Sequence, residues 1–179
     1  LTKAPYDIIA DFAPISLLVK EAQVLVVYPA LPVNTVKELV AHARANPGKL
    51  NYGSIAVGAT QHLGTEWLKS LAGINIVHVP YKGGGASITA LISGEAQVLI
   101  SDVGLASPHM KSGKLRAIAV TSATPSALAP GLPTVATDFP GFEVVGATGV
   151  WAPAKTPAAV LSRLQQEILR ALSRPDEIG

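Results

Sequence analysis

Apolar positions along this chain follow two patterns that take turns. Short, mostly continuous apolar runs at 50–55, 75–80, 97–102 and 115–121 predict strands covered on both faces, which is the signature of parallel pairing. Between them lie stretches with helical spacing, TQHLGTEWLKSLAG, ASITALISG and LASPHMKSG. Gly73, Gly94 and Gly113 close these stretches, because a residue without Cβ enters the left-handed helix cap most easily. Strand, glycine-bearing loop, helix and glycine stop together read as βαβ units.

The same grammar extends to both sides. VLVVYPALP (24–32) reads as another strand, and Asn34 or Thr35 caps a helix, VKELVAHARANPG, that ends at Asn46-Pro47-Gly48. Residues 122–141 hold 4 prolines and no apolar period, which predicts a surface connection. Strand character returns from Phe142 to Pro153. Thr156-Pro157 then offers an N-cap and a first-turn proline for an amphipathic helix ending before Pro175.

The fold class expected is therefore α/β, a parallel-type sheet with helices on both faces. Its organisation is a lobe at 24–121, preceded by a segment at 1–23 and followed by a linker and helix at 122–179. The flanks carry apolar faces (Phe12, Ile15, Leu17, Leu18; Val144, Val145, Val150, Trp151, Leu161, Leu164, Ile168, Leu172) with too few neighbouring elements to bury them. An exposed apolar edge is a template for association, so either disorder at the ends or a domain-swapped homo-oligomer is expected.

Composition narrows the chemistry. The 179 residues are 49% hydrophobic and 15% charged, too apolar for a disordered chain. The net charge of +2 comes without a clustered basic face, so nucleic acid is not an expected partner. There is no cysteine, which removes disulfides, thiolate metal sites and cysteine nucleophiles. No run of about 18 apolar residues reads as a membrane-spanning helix. Residue 1 is Leu, and no basic segment leading into an apolar stretch follows it, so any secretion signal is expected to lie outside these residues.

Ligands of an open parallel sheet bind beyond the carboxyl ends of its strands, where helix N-termini present free N–H groups. Three loops qualify. In the first, running from Tyr52 to His62, Ser54, Gly58, Ala59 and Thr60 either cradle a carboxylate with amides and hydroxyls or simply turn the chain and cap its helix. In the second, running from Val79 to Ser87 through Tyr81-Lys82-Gly83-Gly84-Gly85, the glycines let backbone amides approach a ligand. Tyr81 is placed to wall the pocket, and Lys82 either supplies positive potential or is solvated surface. In the third, Asp102 ends a strand and either caps the following helix or touches the ligand.

Neither a GxxxxGK[ST] loop nor a GxGxxG spacing is present, so no phosphate cofactor is expected. The histidines show no metal-ligand spacing. A nucleophilic reading has only Ser54, His62 and Asp102 to draw on. Ser54 sits outside any GxSxG elbow, and His62 is expected about two turns into its helix.

Tyr6-Asp7, Asp11-Phe12-Ala13-Pro14-Ile15, Asn46 to Tyr52, Gly58 through Leu63, His78 through Gly84, Gly113 to Arg116, and Ala152-Pro153 with Thr156-Pro157 follow one another in a specific order and spacing. In this the chain resembles the extracytoplasmic solute receptors of the tripartite tricarboxylate transporter systems, the TctC or Bug family. The resemblance implies a type II-like periplasmic binding protein of two α/β lobes, found in the Gram-negative periplasm. Such a protein closes an interlobe cleft over a small carboxylate-bearing solute and hands it to membrane permease subunits. The resemblance implies no enzyme activity and no cofactor. This chain looks like the second lobe flanked by remnants of the first. Ligand contacts carry over best to Ser54, Thr60 and the amides near Gly58, while Ala56 and Ala59 stand where relatives typically carry glycine and serine. His62 matches the family's histidine. The alternative from another class is a serine-dependent hydrolase or transferase using Ser54 and His62.

Overall fold

A computed structural model of the chain describes residues 5–174. Its elements, in chain order, are β1 (Phe12–Val27), α1 (Val36–Ala45), β2 (Asn51–Ser54), α2 (Thr60–Ala72), β3 (Val77–Pro80), α3 (Gly84–Ser93), β4 (Val98–Asp102), α4 (Val103–Lys111), β5 (Arg116–Val120), β6 (Val145–Pro153) and α5 (Ala158–Leu172). Residues Glu21–Gly146 make one compact unit, and the flanking residues up to Lys20 and from Ala147 onward make a second.

In the larger unit the strands lie in the order β3-β2-β4-β1-β5. β2 pairs parallel with β3 and with β4, as the βαβ reading requires. β1 is different: it is antiparallel to β4 and to β5, with Gln23 opposite Asp102 and Val27 opposite Val98. β2 to β5 thus all point one way, and a single reversed strand sits among them, so the sheet is mixed. The strand expected at 24–32 also ends at Val27, where the chain turns with Leu31 N–H donating to the Tyr28 carbonyl at 3.0 Å. Pro29 and Pro32 carry no N–H with which to continue a ladder.

Alternation along β1 feeds two cores. Leu25 and Val27 join Val98, Ile100, Tyr52 and Ile76 beneath Leu39 and Val40 of α1 and Leu68 of α2. Val24 and Val26 join Leu99 beneath Ile88 and Leu91 of α3 and Val103 and Ala106 of α4. Helices therefore cover both sheet faces, and each fully buried Leu or Ile contributes about 1.5–3 kcal/mol relative to exposure. Segment 122–141 does more than connect: Val135 and, just beyond it, Phe142 are fully buried in the first core. Its prolines set turns, yet the apolar residues between them plug the open side of the sheet.

Local signals decide the helix ends. Thr35 Oγ1 accepts from Glu38 N–H at 3.1 Å, and Glu38 Oε2 accepts from Asn34 N–H at 2.6 Å, a reciprocal cap of the S/T-x-x-E kind. Gly73 and Gly94 end α2 and α3 in the left-handed conformation. Gly64 lets α2 approach the sheet closely: a Cβ there would stand 2.9 Å from a Val144 methyl.

In the smaller unit, Tyr6 and Phe12 pack edge to face at 5.6 Å, and Ala154 N–H donates to the Asp11 carbonyl at 2.9 Å. Pro157 itself occupies the N-cap of α5 and makes no side-chain cap bond, so the expected Thr156 cap is displaced by one residue. No α5 side chain is fully buried: Leu161 and Ile168 are half-buried and Leu164 and Leu172 exposed, whereas Ile15 and Val144, expected to lie bare, are buried.

Candidate functional site

The carboxyl ends of β2 and β4 and the N-termini of α3 and α4 meet around a cavity of about 270 Å³. Ile55 and Gln61 reach it from the β2–α2 connection, Gly84, Gly85 and Ser87 from the start of α3, and Ile100, Ser101, Asp102 and Leu105 from the β4–α4 junction. All three expected loops thus contribute to one site. Of the individual residues expected there, Gly84 and Asp102 line the wall.

Asp102 occupies the N-cap position of α4, but its side chain makes no cap bond. Its Oδ1 instead accepts from Gln23 Nε2 at 3.0 Å, across the β1–β4 register. The reversed strand therefore sets the carboxylate's orientation. Gly83 caps α3 with φ +98° and ψ 167°, a conformation that belongs almost solely to glycine, and no side chain bonds the first-turn amides of that helix. Those N–H groups have no intrahelical acceptor, so the α3 terminus presents donors and a partial positive charge.

The other expected residues stand elsewhere. Ser54 is fully buried, its hydroxyl donating to the Ala56 carbonyl at 3.1 Å and lying 2.6 Å from His78 Nε2. Since the hydroxyl has one proton and gives it to Ala56, the ring N–H donates to Ser54. Gly58 N–H donates to His62 Nδ1 at 3.3 Å. Ala59 is the N-cap of α2 without a side-chain bond, and Thr60 is the first helical residue rather than the cap. Thr60 borders a separate cavity of about 300 Å³ with Leu63, Trp67 and Glu143. Tyr81 hydroxyl donates to Glu95 Oε1 at 3.0 Å, and burial, with this carboxylate, pushes its pKa up to about 12. Lys82 is exposed.

His62 is the third residue of α2, not two turns in, because the helix starts at Thr60. Its ring lies 4.4 Å from that of His78, which in turn stacks on Tyr52 at 4.9 Å. Tyr52 hydroxyl and Lys69 both donate to Glu66, each at 2.5 Å. Burial first, then the neighbouring His62, holds His78 below its ordinary pKa, while burial and Glu66 raise that of Tyr52. The Ser54–His62–Asp102 triad is not assembled: Ser54 is inaccessible and pairs with His78, and Asp102 pairs with Gln23.

Sequence reasoning missed Gln23, while Gln61, Ser87 and Ser101 fall within the three expected loops but were given no role of their own. Gln23 is 1% and Gln61 7% exposed, and the Oε1 of each is buried with no hydrogen-bond partner. A buried amide left half satisfied costs about 1–3 kcal/mol, so these are atoms waiting for a partner. The available signal was polarity at a core position. Gln23 precedes the apolar run VLVV, and Gln61 falls on the buried face of α2 with Gly64, Thr65 and Leu68.

With this geometry in hand, the relatives are informative. The description of the tripartite tricarboxylate transporter family receptor, TctC, matches residues 1–178. The UPF0065 protein in the tcbD-tcbE intergenic region of Pseudomonas sp. (strain P51) is 34% identical over 178 residues, 98% of this chain and 53% of that protein. Among solved structures, R. palustris Rpa4515 with adipate superposes with a TM-score of 0.88 at 33% identity, over 96% of this chain and 58% of that one. MatC (Rpa3494) from Rhodopseudomonas palustris with bound malate gives 0.84 at 26% identity, over 93% and 57%. The architecture is that of a periplasmic binding protein. The chain belongs to the tripartite tricarboxylate transporter receptor family, TctC, and spans about half the length of the curated relatives it matches.

Proposed function

We propose that this chain is the solute-capturing lobe of a periplasmic receptor, which takes a small carboxylate-bearing solute at the rim cavity and delivers it to the permease subunits of a tripartite tricarboxylate transporter in a Gram-negative envelope. The observation that carries this reading is the convergence of three strand-end loops on one cavity, with the uncapped amides of α3 in its wall. Adipate bound to one relative and malate to another support an acid as ligand. Gly84 and Gly85 present the amides, and Gly83 makes the turn that exposes them, its own N–H donating to the Tyr81 carbonyl at 3.0 Å. Gly58, Ala59, Thr60 and His62 hold the β2–α2 loop in place, with Ser54 tied beneath it, and Tyr81 and Lys82 flank the glycine loop. A serine-dependent reaction finds no support in Ser54, whose hydroxyl is buried and engaged with Ala56 and His78.

The test is a calorimetric titration with mono-, di- and tricarboxylates. Saturable binding of at least one acid, with no turnover, is expected. Failure of every acid to bind overturns the reading.

A further inference from the structure

The cavity wall has an uneven charge pattern. Among the described residues its lining holds one ionisable side chain, Asp102, and no Lys, Arg or His. A ligand carboxylate placed there finds amides at the α3 end and a like charge at the α4 end. Asp102 is also fixed rather than free to turn away, since Gln23 Nε2 holds Oδ1 from a side chain that is 1% exposed. Its remaining acceptor positions are not used by the helix it begins. Beside it, the Gln61 carboxamide is nine-tenths buried, lines the same cavity and leaves its oxygen without a partner. Both groups ask for hydrogen-bond donors. Ser87 adds a third acceptor, because its hydroxyl proton goes to the Gly84 carbonyl at 2.8 Å.

We infer that Asp102 and Gln61 select an acid that also carries a donor, an ammonium or a hydroxyl, close to its carboxylate. The solute would then lie with its carboxylate on the Gly84 and Gly85 amides and its donor on the Asp102 carboxylate and Gln61 Oε1. A plain alkyl acid offers these acceptors nothing and leaves them desolvated. This inference rests on the receptor reading given above and makes Asp102 and Gln61 its specificity-determining residues.

Succinate, malate and aspartate test it, because they share one carbon skeleton and differ at a single position by hydrogen, hydroxyl or ammonium. Binding to the 179-residue chain is followed by amide chemical-shift titration, with the Gln23 side-chain amide and the Ser101 to Val103 backbone as reporters. Aspartate and malate are expected to bind about tenfold or more tightly than succinate, the range of a charge-assisted hydrogen bond. Asp102→Asn keeps an oxygen for Gln23 to donate to, so the fold is retained, and it should bring the three acids within about twofold of one another. Equal affinity of the three for the unaltered chain, or an equal loss for all three in D102N, overturns the inference while leaving acid capture intact. Binding of none overturns the receptor reading and this inference with it.

Discussion

Ser54 Oγ and His78 Nε2 lie 2.6 Å apart, and the proton between them belongs to the histidine. The imidazole is thereby a donor that anchors the floor of the β2–α2 loop, packed against Tyr52 of β2 and facing His62, Glu66 and Lys69 of α2. Burial and the two neighbouring bases keep it neutral against the pull of Glu66. Its folded-state pKa is depressed, so its contribution is complete above the unfolded value of about 6.5 and is lost as pH falls through that value toward the folded one. The melting temperature is expected to fall between pH 7 and pH 5, and His78→Gln should flatten that slope. An unchanged slope in the variant would falsify the assignment.

Tyr52 and Glu66 form a second anchor one turn away. Burial alone would raise the Glu66 carboxyl, but hydrogen bonds from Lys69 and Tyr52 bring it below its ordinary range. Tyr52→Phe keeps the ring and removes one charge-assisted bond, for an expected loss of about 1.5–3 kcal/mol in urea unfolding. Lys69 continues to hold the carboxylate, so the fold survives. A change below a few tenths of a kcal/mol would mean that the bond contributes nothing.

Gly83 and Gly85 make a matched pair of tests. Gly83→Ala places a Cβ in a region open almost only to glycine and is expected to cost about 1–3 kcal/mol. It should also weaken acid binding, because the α3 amides shift. Gly85 has no atom within 4 Å of where a Cβ would go and sits inside the helix, where Ala is preferred, so Gly85→Ala is expected to be neutral or stabilising by up to about 1 kcal/mol. Equal effects would show that backbone conformation is not what places glycine at 83.

Helix α5 offers a prediction about association. Leu161, Leu164, Ile168 and Leu172 share a face of a helix with no fully buried side chain, Leu164 and Leu172 being exposed and the other two half-buried. Sedimentation or light scattering is expected to show self-association that grows with concentration, and the double change Leu164→Glu with Ile168→Glu to suppress it. A constant monomer mass for the unaltered chain defeats this.

Much of the larger unit was legible because local chemistry and tertiary packing agree there. Thr35, Gly73 and Gly94 end helices where their side chains, or lack of one, make ending them easy. The β2, α2, β3, α3, β4 succession followed from a change of period. Strand direction did not, since the alternation that buries Val24 and Val26 on one face and Leu25 and Val27 on the other is the same for parallel and antiparallel neighbours. The loops that form the cavity were identified from glycine and strand ends, whereas its polar contacts were not. Gln23 and Asp102 are 79 positions apart, Ser54 and His78 are 24 apart, and no local spacing announces either pair.

The reversed strand has a consequence for how the chain is made. Val24 to Val27 find their two partners only at 98–101 and 116–120, 71 to 96 residues later. During folding the middle strand of this lobe therefore waits, its four valine and leucine side chains bare, until β4 and β5 have both come into place. Contacts of such long separation close slowly, and an early stop before residue 116 leaves a sticky ribbon with one flank open. Protection of the Val24 to Val27 amides from hydrogen exchange should thus appear during refolding only together with that of β5.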